Sequence, residues 1–130
     1  MEKEFVPYEL ALRMKALNFD EPCLAGYSTS SGNLEHYSRP LVTKDSFTVD
    51  APTWQSAFRW FRDNYNLFCE INVDKTMEPK FAFTIKEYES AQFLEGFGED
   101  VLSEYLYYKH EEAEVACLEK LIEIVEQKEK

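Results

Sequence analysis

The chain has few of the residues that build catalytic and metal-binding sites. Its 130 residues include only two histidines and three cysteines. The cysteines are far apart, odd in number and lack any C-x-x-C spacing, which disfavours both a disulfide framework and a zinc site. We therefore expect Cys23, Cys69 and Cys117 to be small, buried, reduced side chains in a reducing cytoplasm.

Long apolar runs are also missing. No stretch approaches the ~18 apolar residues that a membrane-spanning helix needs. The charged residues 1–4 lead directly into an amphipathic pattern and do not resemble a signal peptide. These features predict a soluble, cytoplasmic protein that does not bind membranes.

Positive charge is scarce, and the net charge is −11. Residues 1–65 carry nine acidic and seven basic side chains, whereas residues 66–130 carry sixteen acidic and seven basic ones. An acidic field repels phosphate, so direct nucleic-acid binding is not expected. Solubility is the simplest explanation of the acidity. The alternative is a DNA-mimicking inhibitor of a nucleic-acid enzyme, which needs the acidic residues of 87–126 to form one continuous surface.

Aromatic residues, in contrast, are plentiful, with ten Phe and eight Tyr. A chain of this length buries roughly two-thirds of the surface that its unfolded form exposes, so we expect a single domain over residues 1–130. Aromatic side chains fit the half-buried surface of a pleated sheet. The composition therefore favours a sheet in the core.

Three amphipathic segments predict helices. The first begins near Pro7, which the first helical turn tolerates, and ends near Asn18. The second lies within residues 51–65 and is capped by Asp50 or Thr53, and the third runs from about residue 110 to 126. In the second helix the residues predicted to face the core cluster within about 100° of arc: Trp54, Ala57, Phe58, Phe61 and Tyr65.

Alternating and turn-forming residues predict two antiparallel hairpins. The first pairs residues 23–27 with residues 34–37, and the alternation of Phe47 and Val49 could add an edge strand. The second pairs residues 68–74 with residues 80–86. Its apolar sets face each other when three pairs stand opposite: Val73 and Phe81, Ile71 and Phe83, and Cys69 and Ile85. The other face of this hairpin is polar and is predicted to face water.

These elements predict an α+β fold. We expect a two-layer sandwich in which three helices lie mostly on one face of an antiparallel sheet of three to five strands, in the order α-β-β-α-β-β-α. Residues 88–109 are too apolar for a linker. We interpret them as an ordered excursion with a helical turn at residues 99–106.

Two surfaces are candidates for contacts. On the second helix, Trp60 falls beside the core stripe with Arg59 and Arg62 towards solvent, and Trp and Arg dominate binding hot spots. The alternative is that Trp60 packs under a neighbouring loop. On the third helix, Val115 and Ile122 widen the apolar arc beyond what one sheet face needs. They are expected to pack against residues 93–106 or against a second copy of the chain in a homodimer.

Three segments of the chain together resemble a family of small hypothetical proteins carried by prophages and mobile elements of gut anaerobes. They are the phrase from Glu4 to Leu12 followed by Asp20 to Cys23, the segment from Ala51 to Arg62, and the segment from Glu111 to Ile122. The resemblance covers about half of the chain. The family has no established activity, so no site residue is carried over. What the resemblance implies is a phage or host-interaction role.

No catalytic motif is present: the sequence has no P-loop, G-x-G-x-x-G, nucleophile elbow or H-E-x-x-H. A metal site at His110, Glu111 and Glu114 would lack a further ligand and is not expected. We therefore predict a non-enzymatic protein, without cofactor or metal, that acts through an unknown protein partner. A small-molecule-binding or enzymatic domain remains an alternative and would need a pocket between residues 23–37 and 93–108.

Overall fold

The computed structural model describes residues 4–73, 75, 78–87, 89, 93–96 and 106–128. The chain divides into two compact units, Met1–Trp60 and Phe61–Lys130, called unit 1 and unit 2 here. Three helices and seven strands are described in chain order: α1 Tyr8–Ala16, β1 Cys23–Ser28, β2 Leu34–Leu41, β3 Thr48–Asp50, α2 Trp54–Tyr65, β4 Leu67–Val73, β5 Phe81–Glu87, β6 Phe93–Gly96, β7 Leu106–Tyr107 and α3 His110–Lys128.

In unit 1, α1 covers a three-stranded antiparallel sheet of order β2-β1-β3. The helix starts after Pro7 and ends where Asn18 adopts a left-handed φ of 67°, which places the Phe19 N–H on the Met14 carbonyl at 3.1 Å. Its buried residues are Leu10, Ala11 and Met14. The predicted edge strand around Val49 is confirmed as β3, which pairs with β1.

Unit 1 also contains the start of α2. Thr53 caps this helix, because its Oγ1 accepts a hydrogen bond from the Ser56 N–H at 3.3 Å. At the far end, in unit 2, Asn66 adopts a left-handed φ of 58° and its N–H reaches the Arg62 carbonyl at 3.1 Å. Both ends of α2 are therefore fixed by the residue types that cap helices.

In unit 2, β4 and β5 form the predicted antiparallel hairpin. All three predicted pairs are confirmed, with Val73 opposite Phe81, Ile71 opposite Phe83 and Cys69 opposite Ile85. Strands β6 and β7 both pair with the other edge of β5, so β4 is an edge strand among the strands described in this sheet. The predicted helical turn at residues 99–106 lies outside the described residues except at Leu106, which belongs to β7.

The polar face of this hairpin is less exposed to solvent than the sequence predicts. Thr84 is only 6% exposed and Ala82 only 3%. The Thr84 hydroxyl accepts a hydrogen bond from Asn72 Nδ2 at 2.8 Å, which satisfies the buried polar atom. The expectation of a fully solvated face is therefore wrong at β5, although Glu70 and Lys86 are partly exposed and lie 3.8 Å apart as an ion pair.

Helix α3 packs against β4, β5 and β7, and its buried residues form one broad face. Ile122 is fully buried within the chain, so it is a core residue and not a surface for a second copy. The predicted contact of Ile122 with residues 93–106 stays a prediction, because most of that segment lies outside the described residues, and Val115 is partly exposed. No described helix has the length and apolar character to cross a membrane.

The cysteines differ from the sequence expectation. Cys69 in β4 and Cys117 in α3 form a disulfide, and only Cys23 is free and buried. The expectation of three reduced cysteines is wrong because it considered spacing along the chain, whereas the β4–α3 contact brings together two residues that are 48 positions apart.

The predicted α+β class and the order α-β-β-α-β-β-α are confirmed. The strands form two small antiparallel sheets, one in each unit, where the sequence suggested one sheet of three to five strands. The reason is that β1 pairs with β2 and β3 only, and β5 pairs with β4, β6 and β7 only, among the strands described.

Candidate protein-binding surface

Trp60 is not part of an exposed surface. Its side chain is only 3% exposed, its ring packs edge-on against Phe19 with centroids 5.3 Å apart, and its Nε1 donates a hydrogen bond to Asp20 Oδ1 at 3.2 Å. The predicted interaction surface is therefore corrected at Trp60, which packs under the segment that follows α1. Burial with a satisfied indole N–H is the usual arrangement of a core tryptophan.

The core-facing side of α2 predicted from the sequence leaves out Trp60, and this prediction is wrong. The buried residues are Ala57, Trp60 and Phe61, spaced i, i+3 and i+4, while Trp54 and Phe58 are only partly buried. Trp54 and Phe58 stack on each other with centroids 6.0 Å apart. The prediction gave all aromatic residues of the helix equal weight. Trp54 and Phe58 therefore moved the predicted centre of the buried face away from Trp60.

The two arginines of the predicted surface lie in different units. Arg59 is exposed in unit 1. Arg62 lies in unit 2, where it helps to line an open polar cleft of about 500 Å³ together with Asp63, Asn66 and Glu89. Asn66 Oδ1 accepts the Glu89 N–H at 3.0 Å, and Arg62 Nε lies 3.4 Å from Asp63 Oδ1. The charges of this cleft are already paired in part, so it does not form a strong anion site.

The most exposed apolar side chain described is Phe47, whose exposed fraction is 75%. It lies at the end of residues 43–47, called the Phe47 loop here, which joins β2 to β3 in unit 1. Other exposed apolar side chains described in this unit are Leu12 at 43%, Leu24 at 52% and Val42 at 36%. Aromatic residues, phenylalanine among them, are enriched at protein interfaces relative to the rest of the surface.

Lys15 holds the Phe47 loop from α1. Its Nζ donates hydrogen bonds to the Asp45 carbonyl at 2.5 Å and to the Thr48 carbonyl at 2.7 Å. Inside the loop, Asp45 Oδ1 accepts the Phe47 N–H at 2.9 Å, which forms an Asx turn. A charged donor on two carbonyls and a closed turn restrict the conformations available to the backbone at Phe47.

The hairpin between β1 and β2 holds the same loop from the other side. The Thr29 N–H donates to the Phe47 carbonyl at 3.0 Å, and the Thr29 hydroxyl lies within 3.3 Å of the Ser46 carbonyl and 3.2 Å of the Phe47 carbonyl. The N–H and the carbonyl of Phe47 are therefore both engaged while its ring points to solvent. The ring is exposed because the backbone is fixed in this position, and not because the segment lacks contacts.

Asp50 fixes the start of the loop. Its carboxylate accepts hydrogen bonds from the Tyr37 hydroxyl at 2.8 Å, from the Thr43 N–H at 2.8 Å and from the Thr43 hydroxyl at 2.9 Å. Tyr37 reaches Asp50 across β1 at Gly26, where a Cβ would overlap the tyrosine hydroxyl. Burial, followed by the hydrogen bond to Asp50, raises the pKa of Tyr37 well above its usual value. The Tyr37 hydroxyl therefore keeps its proton at neutral pH and donates a hydrogen bond to Asp50.

The described side chains offer little chemistry. Burial, with the charges of Asp50 and Glu21, raises the pKa of the Cys23 thiol to about 12, so it is a poor nucleophile. His110 Nδ1 lies 3.3 Å from Glu114 Oε1, and burial raises the pKa of Glu114. Among the described residues, no group of three or more His, Cys, Asp or Glu side chains is placed to hold a metal ion.

No protein-family model, curated protein or solved structure matches the chain. The resemblance to small prophage proteins therefore stays a prediction.

Phe47 was visible in the sequence but was interpreted only as a strand residue. Its neighbours Lys44, Asp45 and Ser46 are polar turn formers, which could have indicated that Phe47 sits at the end of a loop. The restraint from Lys15 and Thr29 could not have been found, because both residues are distant in sequence from the loop.

Proposed function

We propose that the chain is a non-enzymatic binding protein of a prophage or mobile element, and that it contacts a host-encoded protein through Phe47. The observation that carries this proposal is an aromatic side chain, 75% exposed, on a loop whose backbone is held by α1 and by the β1–β2 hairpin. The proposed setting is the cytoplasm of the bacterial cell.

Fixing the loop before binding favours association. A flexible segment loses conformational freedom when it binds, at a cost of about 0.5–1.5 kcal/mol for each immobilised side chain. The bonds from Lys15, Thr29 and Asp45 have already removed much of the backbone freedom around Phe47. Burial of a phenylalanine side chain contributes about 1.5–3 kcal/mol, so an apolar pocket on the partner is the complementary feature.

A second candidate function is the DNA-mimicking inhibitor, and the solvent face of α3 favours it. At 100° per residue, its acidic side chains fall within about 120° of arc. They are Glu111, Glu112, Glu119, Glu123 and Glu126. Much of residues 87–109, which the surface suggested by the sequence includes, lies outside the described part of the chain.

The small-molecule alternative stays a prediction. Its predicted pocket, between residues 23–37 and 93–108, includes residues that are not described. The cleft beside Arg62 is open and polar. Its described lining residues do not include a Ser, Thr or Cys nucleophile paired with a histidine base. We do not assign a reaction to it.

Photo-cross-linking tests the first proposal. A benzophenone side chain replaces Phe47 in one variant and Tyr108 in a matched control, because Tyr108 is an aromatic residue in unit 2 that is 66% exposed. The variants are expressed in the bacterium that encodes the chain. We expect one discrete cross-linked product from position 47, and excess wild-type protein should compete with it while excess Phe47→Ala should not. Equal cross-linking from both positions would contradict the proposal.

The two candidates separate by their response to charge. Replacement of Glu119 and Glu123 by Gln should leave a partner bound through Phe47 in place, and should abolish binding of a partner that recognises the acidic face of α3. Steep weakening of binding with added salt would favour the DNA mimic, because exposed charges more than about 10 Å apart are largely screened at 0.1 M salt. Loss of binding in the Gln variant, with Phe47→Ala unaffected, would favour the DNA mimic.

A further inference from the structure

The disulfide of unit 2 joins an edge strand to a helix. Cys69 lies in β4, which pairs with β5 on one side only among the described strands. Cys117 lies in α3 and is fully buried, whereas Cys69 is partly exposed. The bond closes a segment of 48 residues. It therefore ties this strand covalently to the helix that packs on the same sheet.

The rest of unit 2 does not depend on the bond for its core. Phe83 and Ile85 of β5, with Leu118 and Leu121 of α3, are almost fully buried, and α3 packs against β5. Two reduced cysteines would remain in the same place as small apolar side chains. Reduction should therefore loosen β4 without removing the contact between α3 and β5.

We propose that Cys69 and Cys117 form a reversible redox lock that sets how firmly β4 is held in unit 2. Disulfides in cytoplasmic proteins are rare, and those that occur are usually catalytic or redox-sensing. The bond joins a strand to the helix that packs on the same sheet, so its formation changes how the strand is held, and this position supports a sensing role. This inference rests on the proposed cytoplasmic setting but not on the Phe47 loop, which lies in unit 1.

The chemistry is thiol–disulfide exchange with a small disulfide such as oxidised glutathione. In the locking direction, the Cys69 thiolate attacks one sulfur of the oxidant and releases a glutathione thiolate. The Cys117 thiolate then attacks the Cys69 sulfur of the mixed disulfide and releases the second glutathione. The two cysteines lose two electrons and two protons, and the oxidant is reduced to two thiols. In the opening direction, an external thiolate attacks the sulfur of Cys69, the partly exposed residue of the pair, and Cys117 leaves as a thiolate. A second external thiolate then attacks the external sulfur of the mixed disulfide, so that Cys69 leaves as a thiolate and the two external thiols end as one disulfide.

Cys23 is not part of this lock. It is buried in unit 1, and its Sγ lies 3.5 Å from the Glu21 carbonyl. Cys23→Ala is therefore the matched control for effects of thiol reagents that do not involve the disulfide.

The first test counts thiols. The purified chain is incubated with defined ratios of reduced to oxidised glutathione, unfolded in acid, alkylated and analysed by mass spectrometry. We expect one alkylated cysteine, Cys23, under oxidising conditions and three under reducing conditions, with a reversible transition between them. Three alkylated cysteines at every ratio, or a disulfide that includes Cys23, would overturn the proposal.

The second test measures what the lock does. Reduction should lower the folding equilibrium constant of unit 2 by about 30- to 1,000-fold, the range expected when a cross-link of this kind is lost. Hydrogen exchange should accelerate in β4 more than in β5. Cys23→Ala should behave as wild type, and Cys69→Ala, which cannot form the bond, should show no response to reductant. An equal response of Cys69→Ala and wild type, or unchanged exchange in β4 on reduction, would overturn the lock.

Discussion

Each of the two units of this chain is stabilised internally by a different kind of interaction. In unit 1 the strands and the Phe47 loop are joined by hydrogen bonds to Lys15, Thr29 and Asp50, and the net charge of residues 1–60 is −2. In unit 2 a long helix packs on a sheet through aliphatic side chains and a disulfide, and the net charge of residues 61–130 is −9. The difference separates two tasks: polar bonds fix an exposed aromatic residue in unit 1, and a covalent bond fixes an edge strand in unit 2.

The comparison also explains why Phe47 can remain exposed. Hydrophobic packing would hold the loop only by burying its ring, whereas hydrogen bonds to the backbone leave the ring free. Directional bonds thus allow a loop to be both ordered and apolar at its surface. Each prediction below tests one residue that contributes to the structure of unit 1, beginning with the largest expected effect.

Trp60→Ala should destabilise unit 1 by about 3–5 kcal/mol, the usual cost of removing a large aromatic side chain from a core. It would also leave Asp20 without the indole N–H. Urea unfolding measures the change, with Arg59→Ala on the exposed side of α2 as the control. A loss below about 1 kcal/mol would show that Trp60 is not a core residue and would restore the surface expected from the sequence.

Gly26→Ala should destabilise unit 1 by about 1–3 kcal/mol, because the added Cβ displaces Tyr37 from Asp50. Gly32→Ala is the comparison: nothing lies near its Cβ, but its φ of 75° is strained for alanine, at a cost of about 1 kcal/mol. Thermal unfolding of both variants gives the difference. If Gly26→Ala is no worse than Gly32→Ala, the bond between Tyr37 and Asp50 does not hold the sheet.

Alkaline pH should weaken unit 1 through Cys23. The pKa of this thiol rises from 9.0 to about 12 on folding, so between these values the unfolded chain loses its proton and the folded chain keeps it. Stability is therefore complete below pH 9 and is lost as the pH rises towards 12. From pH 8 to pH 10 the loss should be about 1 kcal/mol. The same titration of Cys23→Ala should be flatter over this range, and an equal slope would contradict the assignment.

Lys15→Met should have the smallest effect on stability, about 1 kcal/mol or less, because the bonds it removes are partly exposed to water. Its effect on the loop should be larger than its effect on the fold. Affinity for the partner found by cross-linking should fall, since the loop must then be ordered during binding. Arg13→Met, also on α1, is the control for loss of a positive charge. Equal loss of affinity in both variants would show that the hydrogen bonds from Lys15 to the loop do not contribute to binding.

Parts of this molecule were predictable because they depend on local pattern. The pairing of Ile71 with Phe83 followed from the two-residue period of each strand, since a shift of one residue would turn both apolar sets to the wrong face. The burial of Trp60 was not predictable, because the period of a helix shows which residues share a side and not how deeply the neighbouring segment covers them. Phe19 and Asp20, which cover it, lie forty positions earlier.

The Phe47 surface and the disulfide could not be predicted from the sequence either, because both depend on contacts between distant residues. The disulfide depends on a contact between β4 and α3, and the fixed position of Phe47 depends on Lys15 in α1 and on Thr29 in a hairpin loop. These are long-range contacts between side chains that are individually unremarkable in sequence. Only the exposure of each residue in the folded chain distinguishes Phe47 from the other phenylalanines whose side chains the structure describes.

Hydrogen exchange of the free protein at the Phe47 amide tests most directly whether the loop is ordered before any partner binds. The Phe47 N–H is bonded to Asp45, and Lys15 holds the surrounding backbone. We predict exchange at least about tenfold slower than in an unstructured peptide, and a return towards the peptide rate in Lys15→Met. Exchange of the wild-type amide at the peptide rate would show that Phe47 is exposed on a flexible segment, and would contradict the account of a binding surface built by the fold.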